Sequence, residues 1–144
     1  MIRPFVLLVA LLALASPALA ESPAPELHLD LNALQPVAGA CRVTFLATNS
    51  LGAALDKSTF ELAIFGKDGA IARVVALDFK GLTAGKTKVV QFDLKDIDCA
   101  SVSRVLVNDV TACAGTGIEP TACLADLRTS TATEIGRASC RERV

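Results

Sequence analysis

Residues 41–69 read CRVTFLATNSLGAALDKSTFELAIFGKDG. Two alternating apolar/polar runs flank a loop containing Gly, Ala and Asp. The second run ends in a Lys-Asp-Gly turn. Alternation with period two is the mark of a half-buried strand, and Asp-Gly is a hairpin signal. The stretch therefore predicts part of an antiparallel meander. In the first run Val43, Phe45 and Ala47 fall on the core side; in the second Phe60, Leu62 and Ile64 do.

The same period extends outward in both directions. Residues 26–34 alternate Leu27, Leu29 and Leu31 with His28, Asp30 and Asn32. Pro36 and Gly39 supply the next turn. Residues 70–79 place Ile71, Val75, Leu77 and Phe79 in phase, with Arg73 interrupting the apolar face. Residues 87–94 place Val90, Phe92 and Leu94 inward, and 103–113 form a sixth strand. Pro120 opens a short helix over 121–127, and 128–134 is a candidate seventh strand. Six or seven short strands with evenly spaced turns predict an all-β, immunoglobulin-like antiparallel β-sandwich with one short C-terminal helix.

The two ends read differently from this domain. Residues 1–20 have the form of a secretory signal peptide: Arg3, an apolar core over 5–15, and Ala18-Leu19-Ala20 for cleavage. The core is shorter than the roughly 20 residues a spanning helix needs. A single Arg precedes it, so a twin-arginine signal is not supported. Residues 135–144, IGRASCRERV, break from the preceding composition and resemble translated sequencing-adapter read-through, not native sequence. The expected domain is 21–134, with a Pro-rich arm at 21–25. Setting the ends aside removes Arg3, Arg137, Arg141, Arg143 and Glu142. Lys plus Arg falls from 14 to 10, Asp plus Glu from 15 to 14, and net charge from −1 to −4. A mildly acidic domain without a basic cluster argues against nucleic acid and anionic membrane surfaces as partners.

Without Cys140, four cysteines remain: Cys41, Cys99, Cys113 and Cys123. An even count in a small exported domain predicts two disulfides, with three pairings open in principle. Strand direction selects among them. If strands run alternately up and down, Cys41 at the start of the second strand and Cys99 after the fifth lie at one end. Cys113 ends the sixth strand at the other end, where Cys123 returns. Cys41–Cys99 and Cys113–Cys123 is the expected set. No C-x-x-C occurs to support a redox motif or zinc ribbon.

Few residues suggest chemistry. His28, the lone His, stands two residues from Asp30 on one strand face, as a base or metal ligand could. A solvated strand residue is the simpler reading, and one His with no free Cys cannot complete a zinc or copper set. The run 81–87, GLTAGKT, is one residue short of a phosphate loop between its glycines and precedes a strand, not a helix. Asp93, Asp96 and Asp98, with Asp109 nearby in sequence, have the alternation of a weak Ca²⁺ site but lack the EF-hand glycine and final Glu. Ser101, Ser103 and Thr111 have no His in a nucleophile motif. With no Trp or Tyr, stacking on sugars is poorly served. Arg104 is placed to pair with Asp96 or Asp98.

FELAIFGKDG (60–69), the AGKT loop (84–87) and Phe92–Leu94 together resemble the immunoglobulin-like FxLYD modules of bacterial exported proteins. A wider pattern also matches: Gly39, Cys41-Arg42, Thr44-Phe45, QFDL over 91–94, Cys99, RVLVN over 104–108, Ala112-Cys113 and ACL over 122–124. It is similar to a group of small exported alphaproteobacterial proteins named for Tat-type signals. Gly66-Lys67-Asp68-Gly69 departs from that group's aromatic-Asp turn. The resemblance implies a sandwich and export, and no activity, catalytic residue or cofactor. The expected function is a non-catalytic periplasmic or secreted binding module. The rival is a weak Ca²⁺-binding or enzyme-accessory protein using the 93–98 loop.

Overall fold

The computed structural model describes residues 18–133. The apolar run of the expected leader and the tail after Thr133 lie outside the described residues. Seven strands form: β1 (Glu26–Val37), β2 (Ala40–Ser50), β3 (Lys57–Gly66), β4 (Ile71–Asp78), β5 (Thr87–Lys95), β6 (Val102–Ala114) and β7 (Leu127–Thr131). A 3-10 turn (Cys99–Ser101) precedes β6, and a four-residue helix, α1 (Ala122–Ala125), precedes β7. The strands make two sheets, β5-β2-β1-β7 and β4-β3-β6. The fold is an all-β sandwich, as the period-two pattern predicts.

The predicted inward positions of β1, β2 and β3 are all buried: Leu27, Leu29, Leu31, Val43, Phe45, Ala47, Phe60, Leu62 and Ile64. Phe79, past the end of β4, fills the centre. Its ring lies 4.8 Å from Phe60, 5.2 Å from Phe92 and 5.4 Å from Phe45. Four rings thus join the two sheets at one point. Burial of such rings dominates the energetics of a core this size.

The structure corrects the sequence reading in several places. Pro36 is a strand residue opposite Cys41, not a turn residue; the turn falls at Ala38-Gly39, where Gly39 adopts φ +70°. β7 accompanies β1 only to Leu31, so Pro36 sits where its missing N–H interrupts no second ladder. Asn32 is an extra residue, because Leu31 pairs Phe45 and Ala33 pairs Thr44. This bulge reverses the phase and brings Leu34 onto the core. Ile71 is 57 % exposed, not core. A bulge sets it opposite Phe65, an outward position of β3. The helix is shorter than expected because β7 begins at Leu127, which pairs with Leu27. β7 runs parallel to β1, so the sandwich is not wholly antiparallel.

Arg73 broke the apolar phase of the fourth strand, and the fold shows why. β4 and β5 are edge strands of different sheets, on one side of the sandwich. Arg73 Nη1 donates to the Lys95 carbonyl of β5 at 2.6 Å. From the other side, Lys88 Nζ donates to the carbonyls of Phe79 and Gly81 at 2.9 and 3.1 Å. Two inward-phased cations therefore latch the seam between the sheets.

Asn49 anchors the passage from β2 to β3. It is fully buried. Its amide donates to the carbonyls of Ala53 and Leu82 at 2.9 and 3.0 Å, and its Oδ1 accepts the Leu51 N–H at 3.0 Å. Asn49→Ala strands buried partners, each costly without a bond. A loss of about 2 kcal/mol in urea denaturation is expected; an unchanged midpoint would contradict this role.

Both expected disulfides form. Cys41 and Cys99 have Cα atoms 5.0 Å apart, and Cys113 and Cys123 5.9 Å. The first ties the start of β2 to the turn after β5. The second holds α1 on the end of β6. Two disulfides fit an oxidising, non-cytoplasmic compartment. Among the described residues no helix is long and apolar enough to cross a membrane.

Candidate interaction face

The outer face of the four-stranded sheet carries His28. Its Nε2 lies 2.8 Å from Ser130 Oγ, and Ser130 Oγ donates to Asp30 Oδ2 at 2.6 Å. Sequence reasoning paired His28 with Asp30 but missed Ser130, which β7 brings across in parallel register. Serine has one proton. It is given to Asp30, so Nε2 must donate to Oγ and cannot serve as its base. The order is the reverse of a nucleophile triad, in which His stands between Ser and Asp. In this arrangement the three side chains clasp β7 to β1.

The acidic residues of 93–109 do not converge. Asp93 is on β5 and makes a two-pronged pair with Arg42 of β2, 2.7 Å from Nε and 2.9 Å from Nη2. Asp98 caps the 3-10 turn, its carboxylate accepting the Ala100 N–H at 3.0 Å. Asp109 accepts the Val110 N–H. Among the described residues no three His, Cys, Asp or Glu side chains gather in a metal-holding set. A shallow, open concavity of about 390 Å³ lies beside Asp96 and the Cys41–Cys99 bridge, walled by Pro36, Val37, Gly39 and Ile97.

The hydrogen bond from the Arg42 guanidinium holds the Asp93 carboxyl below its ordinary value; desolvation opposes it in part, and the guanidinium's charge adds a smaller lowering. A depressed acid stabilises the fold above its unfolded value and loses that contribution as pH falls through the folded one. Wild type and Asp93→Asn are therefore expected to differ at neutral pH, to begin converging as pH falls below about 4, where aspartate protonates in the unfolded chain, and to coincide only below the lower folded-state value. Thermal melts across that range test it. The gap is small, because the pair is partly exposed.

The remaining singled-out residues have structural contacts. The 81–87 loop leads directly into β5, with Leu82 buried against Leu55 and Gly85 N–H on the Asn49 carbonyl. Ser101 donates to the Asp98 carbonyl, Ser103 to those of Phe65 and Gly66, and Thr111 to that of Thr59. Arg104, expected near Asp96 or Asp98, lies with its guanidinium 4.0 Å from the Phe65 ring centroid.

That stack belongs to the outer face of the three-stranded sheet. Register sets three rows across β4, β3 and β6: Ile71–Phe65–Arg104, Val74–Ala63–Leu106 and Ala76–Glu61–Asp109. The first two are apolar except for Arg104. Val74 is 52 % exposed, whereas Ala63 between Val74 and Leu106 is 3 % exposed. The signal was present in the sequence: Ala63, Phe65, Val74 and Leu106 are apolar at outward positions of their strands. Alternation alone assigned those positions to solvent.

The four sheet edges are guarded. β6 carries three extra residues relative to β3, at Ser103, Asn108 and Thr111. β7 is five residues long. β4 and β5 point Arg73 and Lys88 inward. Bulges, shortness and inward charges all oppose strand addition. Comparison with protein-family models, curated proteins and solved structures finds no match to this chain.

Proposed function

We propose that the chain is an exported, non-catalytic interaction module that meets a protein partner through the outer face of its three-stranded sheet. The observation that carries this reading is the pair of apolar rows, Ile71–Phe65 and Val74–Ala63–Leu106, set between Arg104 and the carboxylates of Glu61 and Asp109. An apolar centre with a charged rim is the anatomy of a recognition surface. The guarded edges favour the face over strand addition. The leader at 1–20, the two disulfides and the resemblance to exported alphaproteobacterial modules support export to the periplasm or beyond.

Capture from native cell envelope with wild type and Val74→Asp tests the reading. A partner recovered by wild type and reduced at least tenfold by the variant is expected, with Val74 and Leu106 protected from hydroxyl-radical labelling in the complex. Equal capture by a variant of unchanged circular dichroism overturns it.

A further inference from the structure

We infer that the partner this face fits is a second copy of the chain, docked face to face about a two-fold axis. The inference rests on the reading of the face above and adds the occupant. Along β3, Phe65 and Glu61 are each two residues from Ala63, in opposite directions. The row holding Arg104 and the row holding Glu61 and Asp109 are therefore equidistant from the Val74–Ala63–Leu106 row. A two-fold axis lying along that central row exchanges the outer two. It sets Val74 and Leu106, which flank the buried Ala63, on their own copies and brings each Arg104 onto the partner's Glu61 and Asp109. One patch is thus complementary to itself, the requirement of an isologous interface.

A second feature points the same way. Glu61 and Asp109 stand directly opposite each other on adjacent strands. Like charges so placed are destabilising. Asn108 Nδ2 donates to Glu61 Oε1 at 2.6 Å, which relieves part of the repulsion in the single chain. A guanidinium from a second copy adds the opposite charge that neither carboxylate faces across its own strand pair. The Phe65 ring beneath Arg104 remains its platform in the pair. The face is three strands wide, with strands about 4.8 Å apart. It is therefore smaller than the roughly 800 Å² per partner of a standard interface, and the pairing is a weak, concentration-dependent one.

Sedimentation velocity of the purified, disulfide-bonded protein over a concentration series tests this. Wild type is expected to move from one chain toward two as concentration rises. Arg104→Glu and Asp109→Arg, each alone, are expected to weaken association at least tenfold. Mixing them restores it, because the reversed charges then meet. Val74→Asp removes association with no charge partner to restore it. Circular dichroism and melting confirm that each variant is folded. Wild type remaining one chain throughout overturns the inference, as does association that ignores Val74→Asp or charge reversals that mixing does not restore. A one-chain wild type whose capture of another protein still depends on Val74 leaves the face as a binding site and removes only the second copy.

Discussion

Replacing Cys41 and Cys99 together by Ala is expected to cost the domain about 4 kcal/mol, measured by urea denaturation beside wild type. The bridge closes a loop of 58 residues, and in the chain-entropy account the loss grows with the logarithm of loop length. It spans β2 to the turn before β6 and so encloses β3, β4 and β5, including two of the four crossings between the sheets, β2 to β3 and β4 to β5. In the unfolded chain those crossings are expensive to close. The Cys113–Cys123 bridge spans 10 residues and is expected to contribute about 3 kcal/mol. Its effect is also more local, holding α1 and the start of β7 against β6. Domains of this size are stable by only about 5–15 kcal/mol in total, so either loss is a large share. Peptide mapping without reduction should recover 41 linked to 99 and 113 linked to 123. A double replacement at 41 and 99 costing less than that at 113 and 123 would contradict the ordering.

Phe79→Ala should destabilise by about 3–5 kcal/mol, the range for removing a fully buried Phe. Phe79 is the ring that Phe45, Phe60 and Phe92 share. It lies just after β4, where the chain leaves one sheet for the other. Truncation therefore removes contacts to both sheets and leaves a cavity between them. The carbonyl of Phe79 also accepts from Lys88, so a shift there loosens the seam. Phe65→Ala is the control. Phe65 is half-buried on the outer face, and its loss should cost stability much less while weakening association. The same urea series checks both, and equal costs for the two variants would sink the assignment of Phe79 as the centre of the core.

Much of this architecture was legible because its signal is local. In β2 and β3 the side chains alternate faces residue by residue, and the apolar ones follow. The disulfide pairing was legible for a related reason: strand direction alternates, so parity alone tells which end of the sandwich each cysteine reaches. Neither inference needs distant contacts. Where bulges intrude, parity fails locally. Asn32 shifts the phase of β1, and the bulge near Phe65 turns Ile71 outward against its pattern.

The functional surface was less legible. Ser130 reaches His28 only because α1 redirects the chain so that β7 lies parallel beside β1. Nothing in residues 127–131 alone specifies that neighbour. Arg73 looked like a flaw in an apolar face until the adjacent sheet supplied the Lys95 carbonyl. Asp93 looked like part of a loop cluster until register placed it across from Arg42. Arg104 was expected on an aspartate and lies on Phe65.

By itself the sequence of residues 41–69 determined that this chain makes paired strands around an apolar layer, because side-chain period is a property of consecutive residues. The order of strands along the whole domain also pointed to the compatible cysteine pairs, through the parity of strand direction. The tertiary structure alone decided which outward residues share a row, since that depends on register between strands distant in sequence. Ala63, Val74 and Leu106 come together only through two separate pairings of β3, each shifted by its own bulges. The candidate interaction face is a property of that register.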